Sequence, residues 1–359
     1  MVLAVHGGNI DEIARKYKYE PIEIIDFSAN INPLGLNENI KSSMIKAIDK
    51  VIKYPDITYF NLKNSIGEFE SISSNNIILG NGAAEVIFNI VRALNPKKAL
   101  LPAPTFSEYE EAILSIGGDI EYFHLKEDED FILNNKFIES INENIDITFI
   151  CNPNNPTGAL TDKEFIEKVL RKSLETNTIV VIDESFLDFV KDNINYSSKE
   201  LLNQYNNLII VKSLTKFFAM PGARIGYGIC SNKNIIHKIN KVMVPWTVNI
   251  MATEGIIQGL KEKDYIENSI EYVNDEKEYL YSALKEISFI KVFEPSVNFI
   301  MLKILKNIDL KYELLRKKIL IRSCDNYIGL NSSFYRVAVR NREENNELIR
   351  ELKNILFDK

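Results

Sequence analysis

Short apolar runs alternate with longer mixed segments through the middle of the chain. Lys98–Leu101, Asp119–His124, Ile147–Cys151, Thr178–Ile182, Leu208–Val211 and Ile225–Ile229 read as strands. Between them, Ala84–Leu94, Ser107–Ile116, Asp162–Glu175 and Ser198–Gln204 read as amphipathic helices. This alternation predicts an α/β fold, with a mostly parallel sheet covered by helices. From about Ile250 the pattern changes. One long helical stretch, Asp264–Ile287, precedes three strand-like runs, Ser296–Lys303, Lys318–Arg322 and Phe334–Arg340, and a closing helix over Glu343–Leu356. That part reads as a smaller α+β unit. The segment up to about residue 40 has no strong strand pattern and is expected to pack against it. The expected division is 1–45, 46–255 and 256–359.

Bulk properties narrow the classes. A chain of 359 residues exceeds what one core usually holds, which fits two units. The net charge of −7, with no basic block, disfavours a nucleic-acid partner and still allows a locally basic site for a small anion. The start, Met1-Val2-Leu3-Ala4-Val5-His6-Gly7-Gly8, has neither a basic region nor a long apolar stretch, so no signal peptide is expected. No run approaches the length of a membrane span. Cys151, Cys230 and Cys324 are far apart and give neither a disulfide framework nor a zinc site. They are expected to be small buried hydrophobes, and a cytoplasmic location is expected. His6, His124 and His237 lack metal-ligand spacing, so no metal is expected. The charge run Lys126-Glu127-Asp128-Glu129-Asp130 reads as a solvated loop.

Candidate chemistry collects just after the strands, where open α/β sheets place their sites. Ser213-Leu214-Thr215-Lys216 follows the run Leu208–Val211, and Arg224 comes eight positions after Lys216. An amine flanked by hydroxyls, with a guanidinium close in sequence, suits a phosphorylated aldehyde. Asp183 closes the run Thr178–Ile182, where a buried acid needs a partner. One such partner is a protonated pyridine nitrogen; a helix cap is the plainer alternative. Gly80-Asn81-Gly82-Ala83-Ala84-Glu85 opens a helix whose first N–H groups suit a phosphate. Pro104-Thr105-Phe106 places an aromatic face where it can cover a planar ring. Asn152-Pro153-Asn154-Asn155-Pro156-Thr157-Gly158 forces a turn and presents the Asn155 amide.

Taken in order, these pieces resemble the fold-type-I pyridoxal-phosphate enzymes, the aspartate-aminotransferase-like group, over nearly the whole chain. The resemblance implies a seven-stranded, mostly parallel sheet with a smaller second domain, and pyridoxal 5′-phosphate as cofactor. It implies that Lys216 holds the cofactor covalently, Asp183 pairs with the pyridine nitrogen, Asn155 bonds the ring hydroxyl oxygen and Phe106 stacks on the ring. Gly82, Ala83 and Ala84, with Ser213, Thr215 and Arg224, would bind the phosphate. Tyr54, in Lys53-Tyr54-Pro55-Asp56, looks like the tyrosine that reaches the neighbouring subunit's cofactor, which implies a homodimer. Arg336 matches the arginine for the substrate's α-carboxylate, a task that suits a guanidinium fork. Phe186 stands where aminotransferase relatives usually carry a tyrosine, a departure that counts against plain transamination.

Two branches of the group look close, the histidinol-phosphate aminotransferases and the threonine-phosphate decarboxylases of cobalamin biosynthesis. His6-Gly7-Gly8-Asn9, Asp26-Phe27-Ser28-Ala29-Asn30-Ile31-Asn32-Pro33, Pro245-Trp246, Ile321-Arg322-Ser323-Cys324 and Tyr335-Arg336-Val337 are similar to the second. That branch implies a small phosphorylated amino acid as substrate, with His6, Asn32, Arg322 and Arg336 around its two anionic groups. Either arginine can take either anion on the sequence alone. Sequence also leaves open which Cα bond breaks, and so whether CO2 is lost or an amino group transferred. Regulators that use this fold as a sensory domain carry a DNA-binding module, for which the chain leaves no room before His6.

Overall fold

The alternating pattern folds as thirteen strands and their intervening helices in the computed structural model, which describes residues 7–357. In chain order the strands are β1 (Ile25–Asp26), β2 (Ile77–Gly80), β3 (Lys98–Ala103), β4 (Asp119–His124), β5 (Ile147–Cys151), β6 (Ile179–Asp183), β7 (Leu208–Ser213) and β8 (Gly226–Cys230), then β9 (Ile290–Val292), β10 (Phe299–Ile304), β11 (Ile319–Leu320), β12 (Arg322–Ser323) and β13 (Phe334–Ala338).

Strands β2 to β8 form one seven-stranded sheet in the order β2-β8-β7-β6-β5-β3-β4. β4, β3, β5, β6 and β7 run parallel, and β8 is antiparallel to both its neighbours. Side chains alternate across the sheet with a period of two. Leu208 and Ile210 enter one core with the helices Phe60–Glu70 and Lys163–Glu175. Ile209 and Val211 enter the opposite core with the helices Gly82–Leu94, Glu108–Leu114 and Lys233–Val242. Burial on both faces explains the near-continuous apolar runs in the sequence. The chain moves outward from β3 to β4, then returns to the other side of β3 with β5. This reversal opens a crevice beyond the carboxyl ends of β3 and β5.

A second, antiparallel sheet has the order β12-β13-β10-β9 and packs on the helix Arg342–Phe357 and the end of Lys263–Lys285. β1 pairs in parallel with β11, and the Ala338 N–H donates to the Phe27 carbonyl at 2.8 Å. The segment before residue 40 is thereby bonded to the C-terminal part of the chain.

Three expectations change in detail. The run Lys318–Arg322 becomes two strands in different sheets, since Leu320 pairs with Asp26 and Arg322 with Arg336. Ser198–Gln204 is a 3-10 segment over Lys199–Asn203 rather than an α-helix. The charge run at Lys126–Asp130 is not simply solvated. Glu127 accepts from Lys303 Nζ at 2.7 Å and Lys291 Nζ at 3.2 Å, which ties this loop to β9 and β10.

Candidate active site

The strand ends deliver the chemistry to one place. β6 ends on Asp183, which is buried with one donor for each carboxylate oxygen. The Ser185 N–H donates to Oδ1 at 3.0 Å and the Tyr109 hydroxyl to Oδ2 at 2.7 Å. Asp183 is therefore not a helix cap; its loop folds back on it. β7 ends on Ser213, and the short helix Leu214–Phe217 carries Lys216. Lys216 Nζ lies 4.5 Å from the centre of the Phe186 ring. Burial holds this amine below its ordinary range; Asp183 opposes that effect, and Arg224 and Arg336 add to it. An amine so placed is easily held neutral and nucleophilic.

The expected phosphate cradle is assembled beside it. Ser213 Oγ and Thr215 Oγ1 are 2.9 Å apart. Ala83 and Ala84, in the first turn of Gly82–Leu94, face the same cavity as both hydroxyls and Arg224. Gly82 does not line that cavity. It has φ +83°, and a Cβ there would lie 2.5 Å from Arg224 Nη2, so the glycine makes room for the guanidinium. Gly226 plays a similar part, since a Cβ there would lie 2.4 Å from the Ala83 nitrogen.

The opposite wall is cationic. Arg336, on β13, donates through Nη2 to the Ser28 carbonyl at 2.9 Å and through Nη1 to Asn155 Oδ1. Its Nε has no hydrogen-bond partner among the described residues. Arg322, on β12, donates to Asn326 Oδ1 at 2.8 Å and lies over the Tyr327 ring. Both arginines are buried. Asn155 spends its carbonyl oxygen on Arg336, which leaves its amide hydrogens for a ligand. Lys216, Asp183, Phe106, Asn155, Ala83, Ala84, Ser213, Thr215, Arg224, Arg322 and Arg336 all line one cavity of about 450 Å³.

Besides Gly82, two predicted residues, Asn32 and Tyr54, do not line the cavity. Asn32 lies outside the cavity, because its side chain is committed to the fold: Nδ2 donates to the Phe217 carbonyl at 2.8 Å and Ser269 Oγ at 2.8 Å, and Oδ1 accepts from the Leu34 N–H at 3.0 Å. Its backbone N–H donates to the Lys216 carbonyl, so it braces the lysine's turn. Asn30, two residues earlier, lines the cavity instead, with its buried Oδ1 lacking a partner among the described residues. Tyr54 is 80% exposed, packs at a tilt against Trp246 with ring centres 4.7 Å apart and does not line the cavity of its own chain. His6 lies outside the described residues.

The cavity also takes in residues that the sequence reading passed over. Asp26, Ser28 and Tyr327 line it, as does Cys151, which is buried in a core cluster as expected. Burial, then the nearby Asp183, pushes the Cys151 thiol up to about 12. The available signal for Asn30 was its position in the same Ser28–Asn32 motif. For Tyr109 it was its place three residues after Phe106, in the first turn of the helix Glu108–Leu114.

Residues 22–352 match the family described as aminotransferase class I and II. The chain belongs to that family. A protein of Caldanaerobacter subterraneus subsp. tengcongensis, provisionally named threonine-phosphate decarboxylase, is 43% identical over 98% of this chain and 93% of its own. The threonine-phosphate decarboxylase of Salmonella typhimurium is 33% identical over 98% of this chain and 97% of its own. Among solved structures, the histidinol-phosphate aminotransferase from Clostridium acetobutylicum superimposes with a TM-score of 0.87 at 35% identity, covering 93% of this chain and 99% of that one.

The cofactor of this family is pyridoxal 5′-phosphate, and the cavity fits it. The chain supplies an amine at Lys216 with no ion pair among the described residues, a buried and oriented carboxylate at Asp183, and an aromatic wall at Phe106. The cradle of helix N–H groups, hydroxyls and Arg224 matches a phosphate in charge and donor type.

Proposed function

We propose that this chain decarboxylates L-threonine O-3-phosphate, releasing CO2 and (R)-1-amino-2-propanol O-2-phosphate for the nucleotide loop of cobalamin. The observation that carries this reading is the pair of buried arginines, Arg322 and Arg336, on the wall that faces Lys216 and Asp183. Two fixed cations in one cavity call for a ligand with two anionic groups. A phosphorylated amino acid has them. The names of the two relatives above support the same substrate.

When bound, pyridoxal 5′-phosphate supplies an electron sink next to Cα. Asp183, with one donor on each oxygen, would hold the ring nitrogen. Arg336 is held between Ser28 and Asn155, and its guanidinium would take the α-carboxylate. Arg322 and Asn30 take the phosphate. How the carboxylate is held decides which bond at Cα breaks. With the carboxylate fixed by Arg336, the carbon–carbon bond is the one aligned to break. Lys216, having taken a proton from the substrate's ammonium, would then give it to Cα in place of the CO2 lost. Phe186 gives no hydrogen bond where aminotransferase relatives usually carry a tyrosine, which fits a site specialised away from amino transfer.

We take 46–255 as the unit that binds the cofactor, and 1–45 with 256–359 as the unit that brings the arginines. The working form is a cytoplasmic homodimer. Ile48, Val51, Ile52, Tyr54, Ile57 and Phe60 expose apolar surface along one stretch, beside Val244 and Trp246. A patch of that kind marks an interaction surface. Across it, Tyr54 reaches the cofactor phosphate of the second subunit.

The 35% identity to a solved histidinol-phosphate aminotransferase favours one second reading, amino transfer. Product analysis separates the two. Incubation with O-phospho-L-threonine is expected to release CO2 and form no keto acid, and O-phospho-L-serine run in parallel measures the weight of the extra methyl. Amino transfer to 2-oxoglutarate without CO2 would establish the second reading instead.

A further inference from the structure

We propose that Tyr109 is a positioning residue of this site: its hydroxyl fixes the rotation of the Asp183 carboxylate toward the cofactor's ring nitrogen. The proposal rests on the cofactor reading above. Tyr109 belongs to the helix Glu108–Leu114 and is fully buried. Its ring is stacked on Phe149, with centroids 4.9 Å apart and planes at 13°, and meets Phe106 edge-on at 5.6 Å. These contacts lock the ring, so the direction of its hydroxyl is set by packing. That hydroxyl donates to Asp183 Oδ2 at 2.7 Å, while the Ser185 N–H donates to Oδ1 at 3.0 Å.

A carboxylate with one donor would still turn about its Cβ–Cγ bond. A donor on each oxygen holds both in place. Tyr109 thus touches the acid that pairs with the cofactor ring and the aromatic residue that covers it, without lining the cavity itself. The titratable groups facing Asp183 are Tyr109, Cys151 at the end of β5, and Lys216 after β7. Burial, and then Asp183, hold the Tyr109 phenol well above its ordinary range, so the donor is permanent at working pH. Burial keeps the Cys151 thiol neutral. Asp183 is thus held by two neutral donors, the Tyr109 hydroxyl and the Ser185 N–H.

Tyr109→Phe keeps the ring and removes only the donor. The test compares wild type, Tyr109→Phe and Asp183→Asn as full chains titrated with pyridoxal 5′-phosphate. Two quantities are read: the dissociation constant, and the pH midpoint of the visible absorbance band of the loaded protein. Tyr109→Phe is expected to stay folded, to bind the cofactor roughly tenfold more weakly, the scale of one hydrogen bond to a charged group, and to shift the midpoint. Phe149→Leu, which disturbs the same packing but leaves the hydroxyl, is expected to lower Tm without moving the midpoint. If Tyr109→Phe binds and titrates like wild type while Asp183→Asn weakens binding, the role of Tyr109 is overturned and the cofactor reading stands. If Asp183→Asn also behaves like wild type, the assignment of Asp183 falls, and the proposal falls with it.

Discussion

Lys216 and Arg336 are both basic residues of the cavity, and they answer different questions. The lysine has no ion pair among the described residues and sits over the Phe186 ring; the arginine is clamped by Ser28 and Asn155. Lys216→Ala is therefore expected to abolish the visible absorbance that the wild-type protein gains with pyridoxal 5′-phosphate, and to remove activity. An unchanged spectrum and rate would refute the assignment. Arg336→Lys keeps a charge but loses the fork that spans two acceptors and a ligand. It is expected to raise KM for the phosphoamino acid by roughly 10- to 100-fold, the scale of one buried charge-assisted bond, which steady-state kinetics would show. At this scale the sequence was legible where a polar residue closes an apolar run, as at Asp183 and Lys216. It was not legible where two like residues compete inside one loop. Asn30 and Asn32 differ only in which way the backbone turns them, and hydrogen bonds made more than 180 residues away decide that Asn32 is structural.

β7 shows what an element adds. Lys212 and Ser213 are neighbours in sequence and point to opposite faces of the sheet. Ser213 faces the cavity. Lys212 enters the core below, where Nζ donates to Glu70 at 2.8 Å and Asp188 at 2.7 Å, and Lys199 joins at 3.2 Å. This cluster pins β7 to the helix Phe60–Glu70 and to the turn that follows Phe186. Burial alone pushes the Glu70 carboxyl up, but Lys212, Tyr227 and Lys199 outweigh it and bring it down to about 2. Its contribution to stability is therefore fully present above the unfolded value and is lost as pH falls through about 2. Glu70→Gln leaves an excess positive charge in the core and is expected to cost about 3 kcal/mol. Chemical denaturation across the acid range would show both the loss and a flatter acid limb. The sequence hinted at none of this, because a glutamate at a helix end looks like any solvated one.

At the scale of the whole molecule, the strand order brings loops far apart in sequence to one crevice, and the parallel β1–β11 pair brings the N-terminal segment and Arg322 to its rim. The helix–strand alternation made the large sheet legible in advance. Two-residue strands such as β1 and β12 have no periodicity to read and exist through their tertiary partners. The exposed patch around Ile52 and Trp246 bears on assembly. Ile52→Glu is expected to shift the protein from dimer to monomer by light scattering and to weaken cofactor binding, because Tyr54 is then lost from the neighbouring site. A variant that remains dimeric, or a monomer with unchanged cofactor affinity, would count against shared sites.

The central claim is that the bond broken at Cα is the one to the carboxylate. O-phospho-L-threonine labelled with 13C at the carboxyl carbon, incubated with cofactor-loaded protein and followed by NMR, tests it directly. The account predicts that the label leaves as CO2 while an unlabelled amino-alcohol phosphate accumulates in equal amount. Label retained in a keto acid, with glutamate formed from added 2-oxoglutarate, would contradict it.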